Sequence, residues 1–146
     1  MIYTELTCKA MRYSYEAHKG QYDKANVPYI FLLFHVAEQM TTELDVCTAL
    51  LHDVVEDTEH TLDDLRKEGF PEEVVAAVAA LSREEGQPYM DYIRLLSKNA
   101  MATRVKLADL EHNSDTSRLP SQDQELNKAL MNKYAKAKAY LLGEEV

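Results

Sequence analysis

The sequence predicts an all-α protein of about eight helices, for three reasons. Apolar residues recur at intervals of three and four along most of the chain, which is the spacing of one face of an α-helix. No segment shows a convincing alternation of apolar and polar residues, which a half-buried strand requires. The 146 residues include only four glycines and four prolines, and an all-β sandwich of this length needs more turn residues than that. The length also predicts one domain spanning residues 1–146.

The helices are predicted between the glycines and prolines, which interrupt the apolar pattern. Pro71, followed by two glutamates, is typical of a first helical turn, because that position needs no N–H group and its positive end favours carboxylates. Thr61 before two aspartates predicts an N-cap. Ser121 and Gln124 have the spacing of a capping box. The predicted helices lie near residues 2–18, 30–40, 43–56, 61–68, 71–82, 88–98, 100–116 and 121–142.

The charge of the chain argues against nucleic-acid binding. Sixteen basic and 25 acidic residues give a net charge of −9, whereas binding to DNA or RNA needs a basic face that displaces counterions. The first residues do not have the basic and then apolar pattern of a signal peptide, and no apolar run reaches the roughly 20 residues of a membrane span. We therefore expect a cytoplasmic protein without membrane or nucleic-acid partners.

The segment ALLHDVVEDT, residues 49–58, is the most informative part of the sequence. Residues four positions apart lie on one side of a helix, which places Glu56 beside His52. The same spacing places Asp57 beside Asp53. Imidazole and carboxylate are common ligands of divalent metals, and a second pair of carboxylates could hold and deprotonate a water molecule. The alternative is an exposed acidic helix end that follows a buried histidine.

A second segment, RVKLADLEHN, covers residues 104–113 and places an aspartate among apolar residues. On a helix, Lys106, Asp109 and Asn113 share one face. A buried carboxylate needs a partner, because burial of an unpaired charge is costly. The partner of Asp109 could be a metal ion, or it could be Lys106 in an ordinary ion pair.

Taken together, these motifs resemble the HD-domain metal-dependent phosphohydrolases. More narrowly, they resemble the alarmone (ppGpp) hydrolase domain of the RelA/SpoT family and its small stand-alone relatives. The matching segments occur in the same order and spacing from about residue 7 to 119: AHKGQ at 17–21, PYI at 28–30, HDVVEDT at 52–58 and VKLAD at 105–109, followed by HN. The resemblance implies an HD-type helical bundle with one divalent metal, commonly Mn²⁺. It also implies hydrolytic release of the 3′-pyrophosphate from a guanosine polyphosphate.

The resemblance also implies functions for individual side chains. They fall into three groups: metal ligands (His52, Asp53 and Asp109), carboxylates that orient the attacking water (Glu56 and Asp57), and groups that contact the nucleotide polyphosphate (Lys24, Lys106 and Asn113).

One position departs from the family pattern. In the family, PYI is followed by x-H-P, and that histidine is the first metal ligand. Here Leu32 stands in its place, and a leucine cannot coordinate a metal. His35 lies about one turn further along the predicted helix and is rotated around it, so it could replace the ligand only if the helix shifted; otherwise it is a surface or core histidine. The departure leaves an alternative function, a catalytically weakened HD pseudoenzyme or nucleotide-binding module.

Overall fold

The computed structural model describes residues 1–114 and 124–143, and the all-α prediction is confirmed. Within these ranges no β-strand forms, and the backbone makes one isolated bridge between Tyr22 and Pro28. The helices of the described ranges are α1 (Glu5–Ala17), α2 (Tyr29–Glu38), α3 (Glu43–Leu51), α4 (Val54–Asp57), α5 (Leu62–Lys67), α6 (Glu72–Leu81), α7 (Tyr89–Leu96), α8 (Ala100–Asn113) and α9 (Gln124–Leu141).

Several helices begin at side chains that cap the backbone. The predicted N-cap at Thr61 is confirmed: its hydroxyl accepts from the backbone of Asp64, whose carboxylate accepts in return from the backbone of Thr61. Thr42 caps α3 and Asn99 caps α8 through one bond each, in which the side chain accepts from a backbone N–H group. Each cap satisfies a backbone N–H group that has no partner within its helix.

The predicted helix 43–56 is wrong in one respect, because it is interrupted after Leu51. His52 ends α3, and Asp53 precedes the short helix α4 with φ −104° and ψ 0°. The ring of His52 turns back and bonds to the carbonyl oxygen of Ala49, which satisfies a carbonyl group at the end of α3. The interruption adds one helix to the predicted number and places His52 and Asp53 at a bend.

Helix α3 lies in the centre of the bundle and determines where this bend sits. All of its residues from Asp45 to Leu51 are buried. It packs against α1, α2, α6 and α8, while α9 packs on α7 and α8. The C-terminal end of α3 therefore lies in the interior of the bundle, beside α2 and α8. His52, at the bend, lies there as well.

Two predicted features lie outside the described residues. These are the end of the helix predicted at 100–116 and the Ser121 capping box of the last helix. Among the helices at 1–114 and 124–143, none combines the length and the apolar character that crossing a lipid bilayer requires.

Candidate functional site

His52, Asp53 and Asp109 converge at the bend after α3. Nε2 of His52 lies 3.2 Å from Oδ2 of Asp53 and 3.8 Å from Oδ1 of Asp109. The side chains of His52 and Asp109 are almost fully buried, at 3% and 10% exposure. The packing of α3 on α8 thus brings together an imidazole and two carboxylates from distant parts of the sequence. Their assignment as metal ligands stays a prediction.

The ring of His52 is oriented so that Nε2 faces the two carboxylates. Its Nδ1 atom lies 2.5 Å from the carbonyl oxygen of Ala49, which can only accept, so Nδ1 carries the hydrogen. Nε2 is buried and makes no hydrogen bond. A neutral His52 would direct a lone pair at Asp53 and Asp109, which is unfavourable unless a positive charge lies between them. Burial alone would lower the pKa of His52, but the two carboxylates outweigh it and raise the pKa to about 9.

The two carboxylates also accept hydrogen bonds from neighbouring residues. Asp53 accepts at Oδ2 from the phenol of Tyr29. Oδ2 of Asp109 lies 3.1 Å from Nζ of Lys106, and Oδ1 lies 3.4 Å from Nδ2 of Asn113. Across residues 1–114 and 124–143 no three His, Cys, Asp or Glu side chains form a ready metal-holding group. The donor set nevertheless fits a divalent cation, since the unbonded Nε2 of His52 faces two carboxylate oxygens and Nδ1 is fixed by Ala49.

Lys106 is a buried cation, and its side chain is only 13% exposed. Burial alone would lower the pKa of Lys106, but the negative charge of Asp109 raises it above its ordinary value. Burial would likewise raise the pKa of Asp109, but Lys106 and then His52 hold it below the ordinary range. The ion pair with Lys106, one of the two alternatives that the sequence left open for Asp109, is therefore present. It uses Oδ2 of Asp109, while Oδ1 of the same carboxylate faces His52.

Glu56 and Asp57 lie on α4, next to this cluster. Oδ2 of Asp57 lies 3.5 Å from the hydroxyl of Tyr29, while Glu56 lines a neighbouring groove together with Arg83. Partial desolvation, followed by the negative charge of Asp53, raises the pKa of Asp57 to about 6. The same two causes, in the same order, raise the pKa of Glu56. A raised pKa makes each carboxylate a stronger base, as acceptance of a proton from water requires.

A cavity of about 350 Å³ opens above Asp53 and Asp109. Asn113 also lines it, and the exposed Lys24 lies on its rim. Four of the eight predicted side chains therefore line this cavity: Lys24, Asp53, Asp109 and Asn113. Its other lining residues include Tyr22, Asp23, Tyr29, Leu32, Leu130 and Tyr134.

The loop that carries Lys24 is held in place by the side chain of Asp23. Oδ1 of Asp23 accepts from the backbone N–H groups of Ala25 and Val27, at 2.8 and 3.0 Å. Asn26 adopts a positive φ of 64°, which asparagine tolerates better than most residues. The loop therefore has a defined shape, and that shape places Lys24 on the rim of the cavity.

The structure does not bring His35 to the cluster. Its ring lies 4.5 Å, between centroids, from the ring of His112. Both histidines line a separate cleft, together with Gln39 and Glu111. Leu32, in contrast, lines the cavity above Asp53. The missing ligand histidine is therefore replaced by an apolar side chain at the site, with no shift of the helix that would return His35 to it.

Three residues that shape this site are not among those predicted from the sequence. Tyr29 bonds to Asp53, Gln21 donates to the backbone oxygen of Asp57 over 3.0 Å, and Tyr134 closes the cavity from α9. Gln21 also lies 2.9 Å from Nδ1 of the buried His18. The AHKGQ and PYI motifs contain Gln21 and Tyr29, so these motifs could have indicated both residues. Tyr134 carries no such signal, since its place depends on how α9 packs.

Curated relatives give the context for this geometry. A GTP pyrophosphokinase of Myxococcus xanthus is 35% identical over 126 residues, which cover 74% of this chain and 16% of that protein. A guanosine-3′,5′-bis(diphosphate) 3′-pyrophosphohydrolase of Haemophilus influenzae is 34% identical over 115 residues, covering 69% of this chain and 17% of that protein. The chain is a homologue of the RelA/SpoT-type enzymes. The predicted relationship is confirmed, although no protein-family model matches the chain.

A solved structure agrees with the predicted architecture of this RelA/SpoT homologue. It is a metazoan SpoT orthologue that hydrolyses ppGpp. The two structures superpose with a TM-score of 0.78 at 24% sequence identity, and the match covers 97% of this chain and 88% of the other chain. This likeness confirms the HD-type all-α fold. The chain spans about one sixth of the length of the curated relatives named above, at 16% and 17%.

Proposed function

We propose that the chain is a divalent-metal-dependent phosphohydrolase that removes the 3′-pyrophosphate from a guanosine polyphosphate such as ppGpp. The single observation that carries this proposal is the buried Nε2 atom of His52, which faces carboxylate oxygens of Asp53 and Asp109 at 3.2 and 3.8 Å. This donor set suits a divalent cation, and its two carboxylates line a cavity with a lysine on its rim. The relatives that hydrolyse ppGpp provide the substrate class.

In this proposal His52, Asp53 and Asp109 hold the metal, for which Mn²⁺ is the expected ion. The metal, when bound, polarises the phosphoryl group and lowers the pKa of water. Asp57 and Glu56 orient the water that attacks phosphorus, and this pair of carboxylates takes up the one proton that the water loses. A new P–O bond forms with the water oxygen, the bond between phosphorus and the ribose 3′ oxygen breaks, and pyrophosphate leaves while that oxygen gains a proton.

The remaining predicted residues bind and orient the nucleotide. Asn113 presents an amide to the cavity, and Lys24 presents a cation to it from the loop that Asp23 holds. Lys106 neutralises part of the charge of Asp109 through their 3.1 Å contact. Gln21 fixes the backbone of Asp57 and so keeps its carboxylate near the cavity.

A second candidate function is nucleotide binding without turnover. The observation that favours it is Leu32, which lines the cavity at the position of the missing ligand. An apolar side chain there offers a metal-coordinated water no hydrogen bond, and Lys106 and Tyr29 already bond to the ligand carboxylates. In this alternative the cavity binds the nucleotide, while the metal is weakly held or absent.

Metal content and turnover distinguish the two functions. The protein is purified without chelator, its metal content is measured, and pyrophosphate release from ppGpp is followed with added Mn²⁺. An enzyme loses roughly 10²–10⁴-fold in kcat after Glu56→Gln or Asp57→Asn, with a smaller change in KM, because these groups act on the attacking water. Glu59→Gln, an exposed change close by in sequence, is the control and leaves kcat unchanged.

Two results would count against this proposal, the first against hydrolysis and the second against the assigned carboxylates. The first is nucleotide binding without any release of pyrophosphate at saturating Mn²⁺, which favours the binding module. The second is turnover that is equal in the unmodified protein and in the Glu56 and Asp57 variants, which removes these carboxylates from the mechanism.

A further inference from the structure

Three cationic groups surround the ring of Tyr89, the first residue of α7. Nζ of Lys133 lies 4.2 Å from the ring centroid, Cζ of Arg83 lies 5.6 Å from it, and Nζ of Lys106 lies 5.8 Å from it. These residues come from α9, from the connection between α6 and α7, and from α8. Because the protein has a net charge of −9, a generally basic surface cannot account for this local concentration of positive charge.

The positive charges of this cluster are only partly compensated by the protein. Lys106 pairs with Asp109 over 3.1 Å. Nε of Arg83 donates to the carbonyl oxygen of Gln87 over 2.9 Å, and the ion pairs found within residues 1–114 and 124–143 include neither Arg83 nor Lys133. The exposed carboxylates of Glu84 and Glu85 follow Arg83 in sequence, but neither forms an ion pair with it in these ranges.

The cations also act on one another. Burial lowers the pKa of Lys133, and the positive charges of Arg83, Lys106 and Lys24 lower it further. A contact with one aromatic face contributes only about 0.5–1 kcal/mol at an exposed site and does not remove the repulsion between like charges. An anion that bound among these groups would remove that repulsion, and a guanidinium beside two ammonium groups is a donor set that suits a phosphate group.

The cluster lies directly beside the candidate active site. Lys106 belongs to both, since it contacts the ring of Tyr89 and the carboxylate of Asp109. Arg83 shares a groove with Glu56, one of the two predicted catalytic carboxylates. An anion at the cluster would therefore lie close to a phosphate that reacts above Asp109.

We propose that Arg83, Lys106 and Lys133 form an anion-binding subsite, centred on Tyr89, for a phosphate group of the nucleotide other than the one that is cleaved. The identity of the ligand as a nucleotide with two separate phosphate groups rests on the proposed function. The ability of the cluster to bind a pyrophosphate group does not, because it depends only on the charges around Tyr89.

Calorimetry with two probes tests the subsite apart from hydrolysis. Inorganic pyrophosphate probes the cluster alone, and ppGpp in the presence of EDTA probes the nucleotide without metal-dependent turnover. Arg83→Gln and Lys133→Gln each remove one charge from an exposed side chain. We expect each variant to bind both ligands roughly five- to tenfold more weakly, as the loss of one charge-assisted contact predicts.

Lys136→Gln is the matched control, because it removes a lysine charge from an exposed position of the same helix. It should leave both affinities unchanged. Affinities that are equal in Arg83→Gln, Lys133→Gln and the unmodified protein overturn the subsite, as does a loss of the same size in Lys136→Gln. Pyrophosphate binding that depends on Arg83 and Lys133, without any binding of ppGpp either in EDTA or with Mn²⁺, supports an anion site at the cluster and refutes the proposed function.

Discussion

Nε2 of His52 lies 3.8 Å from Oδ1 of Asp109, across the interface between α3 and α8. The same aspartate meets Lys106 through its other oxygen, at 3.1 Å. Two potential cations thus share one buried carboxylate, while Asp53 provides a second negative charge 3.2 Å from the imidazole. The cluster compensates its own charges when no metal is bound, so the metal-free protein can bury it.

The first prediction concerns the stability of the metal-free protein. Asp109→Ala leaves the buried cation of Lys106 without its carboxylate, so we expect the free energy of unfolding to fall by about 3 kcal/mol, in the range measured for broken buried pairs. In a Lys106→Met background the same change should cost less, because one of the stranded cations is gone. Urea unfolding of all four proteins in EDTA measures both costs. Equal costs in the two backgrounds would show that Lys106 and Asp109 are not energetically coupled.

The second prediction concerns Leu32. Because it lines the cavity at the position of the missing ligand, Leu32→His should supply an imidazole to the metal and raise Mn²⁺ affinity at least tenfold, since even a group that only orients a ligand is worth 10–100-fold. Isothermal calorimetry with Mn²⁺ measures the affinity. Leu33 is fully buried within α2 and is left unchanged, because a proline there would disrupt the helix and its packing.

Phe31→His is the matched control for this prediction. Phe31 is the adjacent residue of the same helix and is 60% exposed, and it does not line the cavity. The control should leave Mn²⁺ affinity unchanged. If Leu32→His fails to raise the Mn²⁺ affinity, or if the unmodified protein is fully occupied by metal, another group already replaces the missing ligand histidine.

The sequence predicts the helices well because each buries a periodic apolar face. It fails at His52, because the apolar pattern continues through Val54 and Val55 while the break depends on a side-chain bond from His52 to Ala49. The motif resemblance predicts that His52, Asp53 and Asp109 belong together, and it also identifies Leu32 as the departure. It gives no sign of Arg83, and none of Tyr134 and Lys133, since the last two positions depend on how α9 packs against α7 and α8.

The third prediction concerns alkaline pH. Burial, together with the negative charge of Glu43, raises the pKa of the Cys47 thiol to about 12, from an ordinary value of 9.0. Because the pKa of this thiol is higher in the folded protein than in the unfolded protein, its contribution to the free energy of unfolding is complete below pH 9. That contribution is lost as the pH rises toward 12. One such group contributes a slope of up to about 1.4 kcal/mol per pH unit. Burial also raises the pKa of Tyr13 to about 12, which adds to the slope above pH 10.

Urea unfolding between pH 8 and 11 tests this slope. Cys47→Ala should be less stable at neutral pH, because it removes a buried sulfur atom, but its stability should fall less steeply above pH 9. Cys8→Ala is the control, since that thiol is only partly buried, and it should keep the steepness of the unmodified protein. A slope that Cys47→Ala does not reduce would remove Cys47 as its source.

The fourth prediction concerns the ion pair that joins α8 to the start of α3. Arg104 holds Asp45 through two contacts, 2.7 Å from Nε to Oδ2 and 2.9 Å from the second guanidinium nitrogen to Oδ1. The side chain of Asp45 is only 4% exposed, so Arg104→Ala leaves a buried carboxylate without its partner. We expect a loss of about 2 kcal/mol in the free energy of unfolding, as for other buried charged groups that lose a hydrogen-bonded partner.

Arg94→Ala provides the contrast, because Arg94 and Asp91 are both exposed and their pair should contribute less than about 1 kcal/mol. Adding Asp45→Asn to Arg104→Ala should recover part of the loss, because a neutral amide is cheaper to bury than an unpaired carboxylate. Urea unfolding at pH 7 measures these losses in the free energy of unfolding. Equal losses in Arg104→Ala and Arg94→Ala would show that solvent or backbone contacts stabilise the Asp45 carboxylate as well as Arg104 does.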